Sequence, residues 1–116
     1  MPVLGAIGEQ LAREYLENMH YRFLEANFSC KMGEIDLIMQ DGSCRVMIEV
    51  RLRSPLGFGD GADSVHTIKQ RKLIKTALFY QQHANYWGDI RFDVVSIARI
   101  SKGNMNITHI KDAFTA

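Results

Sequence analysis

Three acidic residues, Glu34, Asp36 and Glu49, stand close along the chain, and a permanent cation, Arg51, follows two positions after the last. The segments that carry them alternate. Ile35, Leu37 and Met39 alternate with Glu34, Asp36, Ile38 and Gln40; Val46, Ile48, Val50 and Leu52 alternate with Arg45, Met47, Glu49, Arg51 and Arg53. A period of two marks strands, and Asp41-Gly42 between them is a hairpin turn signal. With Asp41 and Gly42 as the turn residues, Gln40 faces Ser43, so Ile35 opposes Ile48, Leu37 opposes Val46, Glu34 opposes Glu49 and Asp36 opposes Met47. One face is then apolar and the other carries the carboxylates.

Directly opposed residues lie about 5 Å apart at Cβ, and diagonal ones about 7–8 Å or somewhat less. Carboxylates at such distances repel, so a base, a proton or a metal ion should lie between them. Magnesium suits such a place, because it keeps several waters and takes one or two carboxylates together with substrate phosphate. Glu9, on the border of an apolar helical arc, could add an oxygen. Arg51 offers a planar fork that holds phosphate and stays charged. Acidic ligands beside a fixed cation are the parts of a phosphodiester-cleaving site. The competing reading is a solvated hairpin face on which Glu49 pairs with Arg51 or Arg45.

These side chains need a scaffold. Leu4, Ile7, Leu11, Tyr15 and Met19 recur at helical spacing and predict a helix over roughly residues 4–19. Gly5, Gly8 and Ala12 on it are small enough for close approach to a sheet. A strand is expected near residues 21–28, before the hairpin. Ser54 to Asp63, rich in Gly and Pro, reads as a loop. Thr67 with Gln70 resembles a capping box and opens a helix to about Tyr86, with Leu73, Ile74, Ala77, Leu78, Gln81 and Ala84 inward and Lys69, Arg71, Lys72 and Lys75 crowding its start. Strands over residues 91–100 and 105–110 close the chain, with a turn at residues 102–104. Tyr80, Tyr86 and Trp87 are expected in a core or an interface. The order αβββαββ predicts an α/β protein, a mixed sheet flanked by helices.

The 116 residues, 47% hydrophobic and 23% charged, suit one globular domain spanning 1–116. The net charge of +1 excludes a histone-like polycation. It conceals an asymmetry: residues 1–42 hold seven acids and three bases, residues 43–75 three acids and seven bases. A basic middle points to a polyanionic partner. No apolar run is long enough to span a membrane, and no signal peptide is read at the start, so a cytoplasmic location is expected. Cys30 and Cys44 fit neither a zinc spacing nor a disulfide framework and read as reduced thiols.

The string Gly5, Gly8-Glu9, Ala12, Asn27, Gly33-Glu34-Ile35-Asp36-Leu37-Ile38 and Ile48-Glu49-Val50-Arg51-Leu52-Arg53 resembles the bacterial YraN-like family. The resemblance continues through Phe58-Gly59, Lys69, Ala77, Arg91-Phe92-Asp93-Val94-Val95 and Ala113-Phe114. That family is similar to the restriction-endonuclease-like PD-(D/E)xK nucleases and to Holliday junction resolvases. The resemblance implies a restriction-endonuclease-like fold and nucleic acid as the substrate class, and the leading expectation built on it is a magnesium- or manganese-dependent nuclease acting on DNA, branched or damaged DNA included. Asp36, Glu49 and Arg51 would be catalytic, with Glu9, Glu34, Asp36 and Glu49 around the metal. Arg53, Lys69 and Lys72 would contact the nucleic acid, and a homodimer is attractive because a duplex offers two strands. In one respect the chain departs from the pattern: Arg51 replaces the expected lysine. Arginine holds phosphate but cannot readily release a proton, so the alternative is a non-catalytic nucleic-acid-binding module on the same fold.

Overall fold

A computed structural model describes residues 4–53, 67–101 and 103–116. The expected loop from Ser54 to Asp63 lies outside the described residues. The elements are α1 (Leu4–Asn18), β1 (Arg22–Cys30), β2 (Gly33–Asp41), β3 (Cys44–Arg53), α2 (Thr67–Ala84), β4 (Asp89–Ser101) and β5 (Asn104–Phe114). Type and order match the sequence expectation. The last strand is longer than expected, because it stays paired with β4 from Asn104 to Phe114 across a shift in register.

The five strands form one sheet in the order β1-β2-β3-β4-β5. Only β3 and β4 run parallel, and α2 makes the crossover between them. Each face of the sheet is covered by one helix. Ala12 and Leu16 of α1 pack on Tyr21, Leu37, Met39, Val46, Ile48, Val95 and Ile97; Leu73, Ala77 and Tyr80 of α2 pack on Phe28, Ile38, Met47, Phe92 and Val94. The close approach of α1 is made at Gly8, where a Cβ would stand 2.9 Å from a methyl of Leu52. Gly5 makes no such approach.

The hairpin register differs from the expected one. Asp41 pairs with Cys44, Met39 with Val46 and Leu37 with Ile48, so the turn residues are Gly42 and Ser43. Gly42 has φ 59° and Ser43 has no positive φ, the pattern of a II′ turn with glycine first. The slip is two residues. A slip of two leaves the side chains of the paired span, Leu37 to Ile48, on their own faces, so the sorting of the faces survives there while the partners change.

A second departure lies in β2. Ile35 belongs to the cluster beneath α2, whereas Leu37 and Met39 lie beneath α1, so the alternation breaks at Asp36. On β1, Asn27 sits between the pairs Ala26–Leu37 and Phe28–Ile35, opposite Asp36, with φ 55°. Asparagine tolerates this left-handed backbone better than most residues. Both strands therefore change direction at one level.

On α2 the buried side is Leu73, Thr76, Ala77 and Tyr80, while Leu78 is exposed. The polar atoms of two of these are satisfied internally. The Thr76 hydroxyl donates to the Lys72 carbonyl at 2.7 Å, and the Tyr80 oxygen accepts from Arg45 Nη1 at 2.7 Å. Tyr80 is in the core as expected, Tyr86 is half-buried, and Trp87 is exposed rather than packed.

Candidate active site

The paired residues of β2 and β3 run from Asp41–Cys44 to Leu37–Ile48. Beyond that point β2 keeps to β1, with Ile35 beside Phe28, and β3 keeps to β4, with Glu49 beside Val94. Where the two strands part, the Asp36 carboxylate accepts the Val50 N–H at 2.8 Å, taking the place of a strand carbonyl. A cavity of about 430 Å³ opens there, lined by Gly5, Glu9, Glu34, Asp36, Glu49, Val50, Leu52 and Lys69. It lies toward the carboxyl end of β3 and the start of α2, where ligands of α/β folds gather.

All four acids expected at a metal site line this cavity. Asp36, not Glu34, is the acid that the observed register brings level with Glu49. Glu49 is buried and forms an ion pair with the ammonium of Lys69. The Asp36 carboxyl is pushed up to about 7. Burial is the largest cause; the Glu49 charge follows, the Val50 N–H opposes the rise, and the Glu9 charge and a side-chain hydrogen bond to Glu49 add to it. The two carboxyls therefore act against each other, and among the described residues the Lys69 ammonium is paired with Glu49.

The donor chemistry fits a hydrated magnesium or manganese ion. Asp36 and Glu49 give hard oxygen ligands side by side, and the cavity leaves room for water and a phosphate oxygen. Among the described residues no three His, Cys, Asp or Glu side chains gather into a ligand set. Glu9 acts on Asp36 through its charge, and Glu34 stands exposed at the rim.

The expected basic residues divide. Lys69 enters the cavity from the first turn of α2. Arg51 follows Glu49 on β3, half-buried beside Ser96 of β4, and is not among the lining residues. Arg53 ends β3, half-buried, and Lys72 is exposed one turn after Lys69. Sequence spacing put Lys69 on a helix start but carried no signal that this start closes over Glu49.

A second polar cluster escaped the sequence reading. Asp93 of β4 is 1% exposed. It accepts from Arg91 Nε at 2.9 Å and Nη2 at 3.0 Å, from the Asp112 N–H at 2.9 Å, and from His109 Nε2 at 2.7 Å. Arg91 also donates to Asp41 at 2.9 Å and to the Tyr21 hydroxyl at 2.7 Å. The available signal was Arg91-Phe92-Asp93, two charges on one face of a strand whose next residues on that face, Val95 and Ile97, are apolar.

The family model of the uncharacterised protein family UPF0102 matches residues 8–97. The chain belongs to the UPF0102 family. A UPF0102 protein of Persephonella marina is 44% identical over 113 residues, covering 97% of this chain and 93% of the relative. One from Vibrio campbellii is 48% identical over 97 residues, covering 81% and 80%. One from Mycolicibacterium vanbaalenii is 40% identical over 110 residues, covering 93% and 90%. The span matched by the UPF0102 model contains Glu9, Asp36, Glu49 and Lys69. Among the described residues no helix of this UPF0102 chain is long and apolar enough to cross a membrane.

Proposed function

We propose that this UPF0102 protein is a divalent-metal-dependent nuclease that hydrolyses phosphodiester bonds in DNA, branched or damaged forms included. The observation that carries the reading is the Asp36–Glu49 pair, set where β2 and β3 part and faced by Lys69. Asp36 and Glu49 would hold magnesium or manganese; when bound, the ion supplies Lewis acidity to the phosphate and acidifies water. Glu9 and Glu34 add negative charge around it. The resemblance expects a lysine at position 51, where this chain has arginine. Lys69 brings an ammonium to Glu49 from α2, in place to hold a non-bridging phosphate oxygen. Arg51 and Arg53 extend the positive charge along β3, and Lys72 does so along α2.

Linear, single-stranded, flapped and four-way DNA should be offered with magnesium or manganese. The native chain is expected to cut at least one of them, and Glu49→Gln to abolish cleavage while keeping the native melting profile. Equal cutting by the variant removes the assignment. Salt-sensitive binding without cleavage in any metal would leave the non-catalytic binding module. Arg51→Lys belongs beside them, since a gain of activity would mark the native chain as a weakened nuclease.

A further inference from the structure

Helix α2 has four basic residues, Lys69, Arg71, Lys72 and Lys75, in its first nine positions and no acid anywhere from Thr67 to Ala84. Helix dipoles favour acids at this end, so the bare helix carries positive charge where its own field disfavours it. An anion lying along it relieves both.

The basic side of the helix is continuous with the cavity. Lys69 and Glu34 stand at the cavity itself. Gly33, next to Glu34, lies against Lys72, whose Cβ is 3.8 Å from where a Gly33 Cβ would stand. Met32, next to Gly33, joins Lys75, Leu78, Phe79 and Gln82 around a second hollow of about 310 Å³. Lys31 is exposed in the β1–β2 turn. From Lys69 to Lys75 the helix axis rises about 9 Å. Its end is an aromatic platform: Phe79 is 43% exposed and is stacked with His83, centroids 6.4 Å apart and planes 12° apart.

We infer that this face is a track for a single strand of nucleic acid leading away from the acidic cavity. The inference rests on the reading of the cavity as a phosphodiester-cleaving site and extends it to a substrate class. Lys69, Lys72 and Lys75 take successive phosphates, and the hollow at Met32 and Phe79 takes an unpaired base. The apolar hollow decides between strand forms. A duplex keeps its bases stacked inside and offers this surface only phosphates, which need no aromatic ring. An unpaired base stacks on any exposed ring, whatever its sequence. Among the described residues the acids on this path are Glu34 and Glu49, the partner of Lys69, and both stand at the cavity end, where a metal ion would offset them.

The test measures binding in EDTA, so that cleavage plays no part. The full chain is titrated with fluorescent oligo-dT of about twelve nucleotides, with oligo-rU as a second arm and the same length of duplex as competitor. The native chain is expected to bind one or both single strands at least about tenfold more tightly than duplex. Lys72→Glu with Lys75→Glu should weaken binding by about tenfold or more and make the salt slope shallower by about 0.7 per lysine. Phe79→Leu, which keeps an apolar side chain but removes the ring, should weaken it about tenfold. Lys111→Glu, the same charge change at an exposed lysine near Asp41, should leave it unchanged. Duplex competing equally well, or unaltered binding by the lysine and Phe79 variants, would overturn the track. The two readings fail separately. Strand binding that obeys these variants in a chain that never cuts DNA sinks the nuclease and keeps the track. Glu49-dependent cutting by a chain indifferent to the variants does the reverse.

Discussion

Asp36 and Asp93 are two aspartates drawn into the same sheet, and their surroundings act on them in opposite directions. Burial raises both. At Asp93 it is outweighed by His109, by the Arg91 fork and by the Asp112 N–H, so the carboxyl is held below its ordinary range. At Asp36 the Val50 N–H opposes burial, while Glu49 and Glu9 add their charge, and the carboxyl rises to about 7. Burial therefore does not distinguish a site from a strut; the balance of partners does. An acid supplied with every donor it can use holds strands together, whereas a buried acid raised by its neighbours' charge is a candidate for a functional site.

The largest expected effect is on the satisfied acid. Asp93→Ala leaves the Arg91 guanidinium and His109, both largely buried, without their shared partner. Breaking such a pair from one side costs about 3–5 kcal/mol, and urea unfolding at pH 7 should show that loss. A loss under about 1 kcal/mol, the range of exposed ion pairs, would place the network among surface charges and erase the contrast.

Asp36→Asn should act in the opposite sense. Its amide oxygen still accepts the Val50 N–H, and the variant carries no charge against Glu49. The sign follows from linkage. The folded carboxyl of the native chain lies above the ordinary value near 4, so the stability it contributes is fully present below pH 4 and lost as pH rises through about 7. The variant escapes that loss. In EDTA its advantage should grow from nearly nothing at pH 4 to on the order of 1–3 kcal/mol at pH 8. Manganese should reverse the ranking, because it stabilises only a chain that holds it, by about 2.7 kcal/mol at a hundred times the dissociation constant. Asp93 works the other way along the pH axis. Its depressed carboxyl contributes stability above pH 4, lost as pH falls below that. An Asp36→Asn chain that melts like the native one at pH 8 would show that the Asp36 carboxyl is not raised.

How far the sequence reveals this contrast depends on the period of the signal. Strand alternation assigns faces, so the hairpin and the carboxylate face are legible from residues 33–53. A period of two is blind to a slip of two, which is why Asp41-Gly42 and Gly42-Ser43 served the pattern equally well and the true partner of Glu49 stayed hidden. The inward side of α2 was misjudged at Thr76, whose hydroxyl looks solvent-seeking until the Lys72 carbonyl satisfies it. The contact from Lys69 to Glu49 and the cluster around Asp93 join residues from different elements, and no local pattern encodes such meetings.

The smallest effect tests what aims Asp36. Asn27 lies across from it with φ 55°, a backbone that glycine adopts freely and a β-branched residue resists. Asn27→Gly should change stability by only a few tenths of a kcal/mol and leave manganese stabilisation intact. Asn27→Val should cost about 1–2 kcal/mol. If the bend at Asn27 turns β2 so that Asp36 meets Glu49, the valine variant should also lose part of its manganese response, though residue 27 is exposed and is not among those lining the cavity. A full manganese response in a destabilised valine chain would separate the bend from the site, leaving Asp36 held by its bond to Val50 alone.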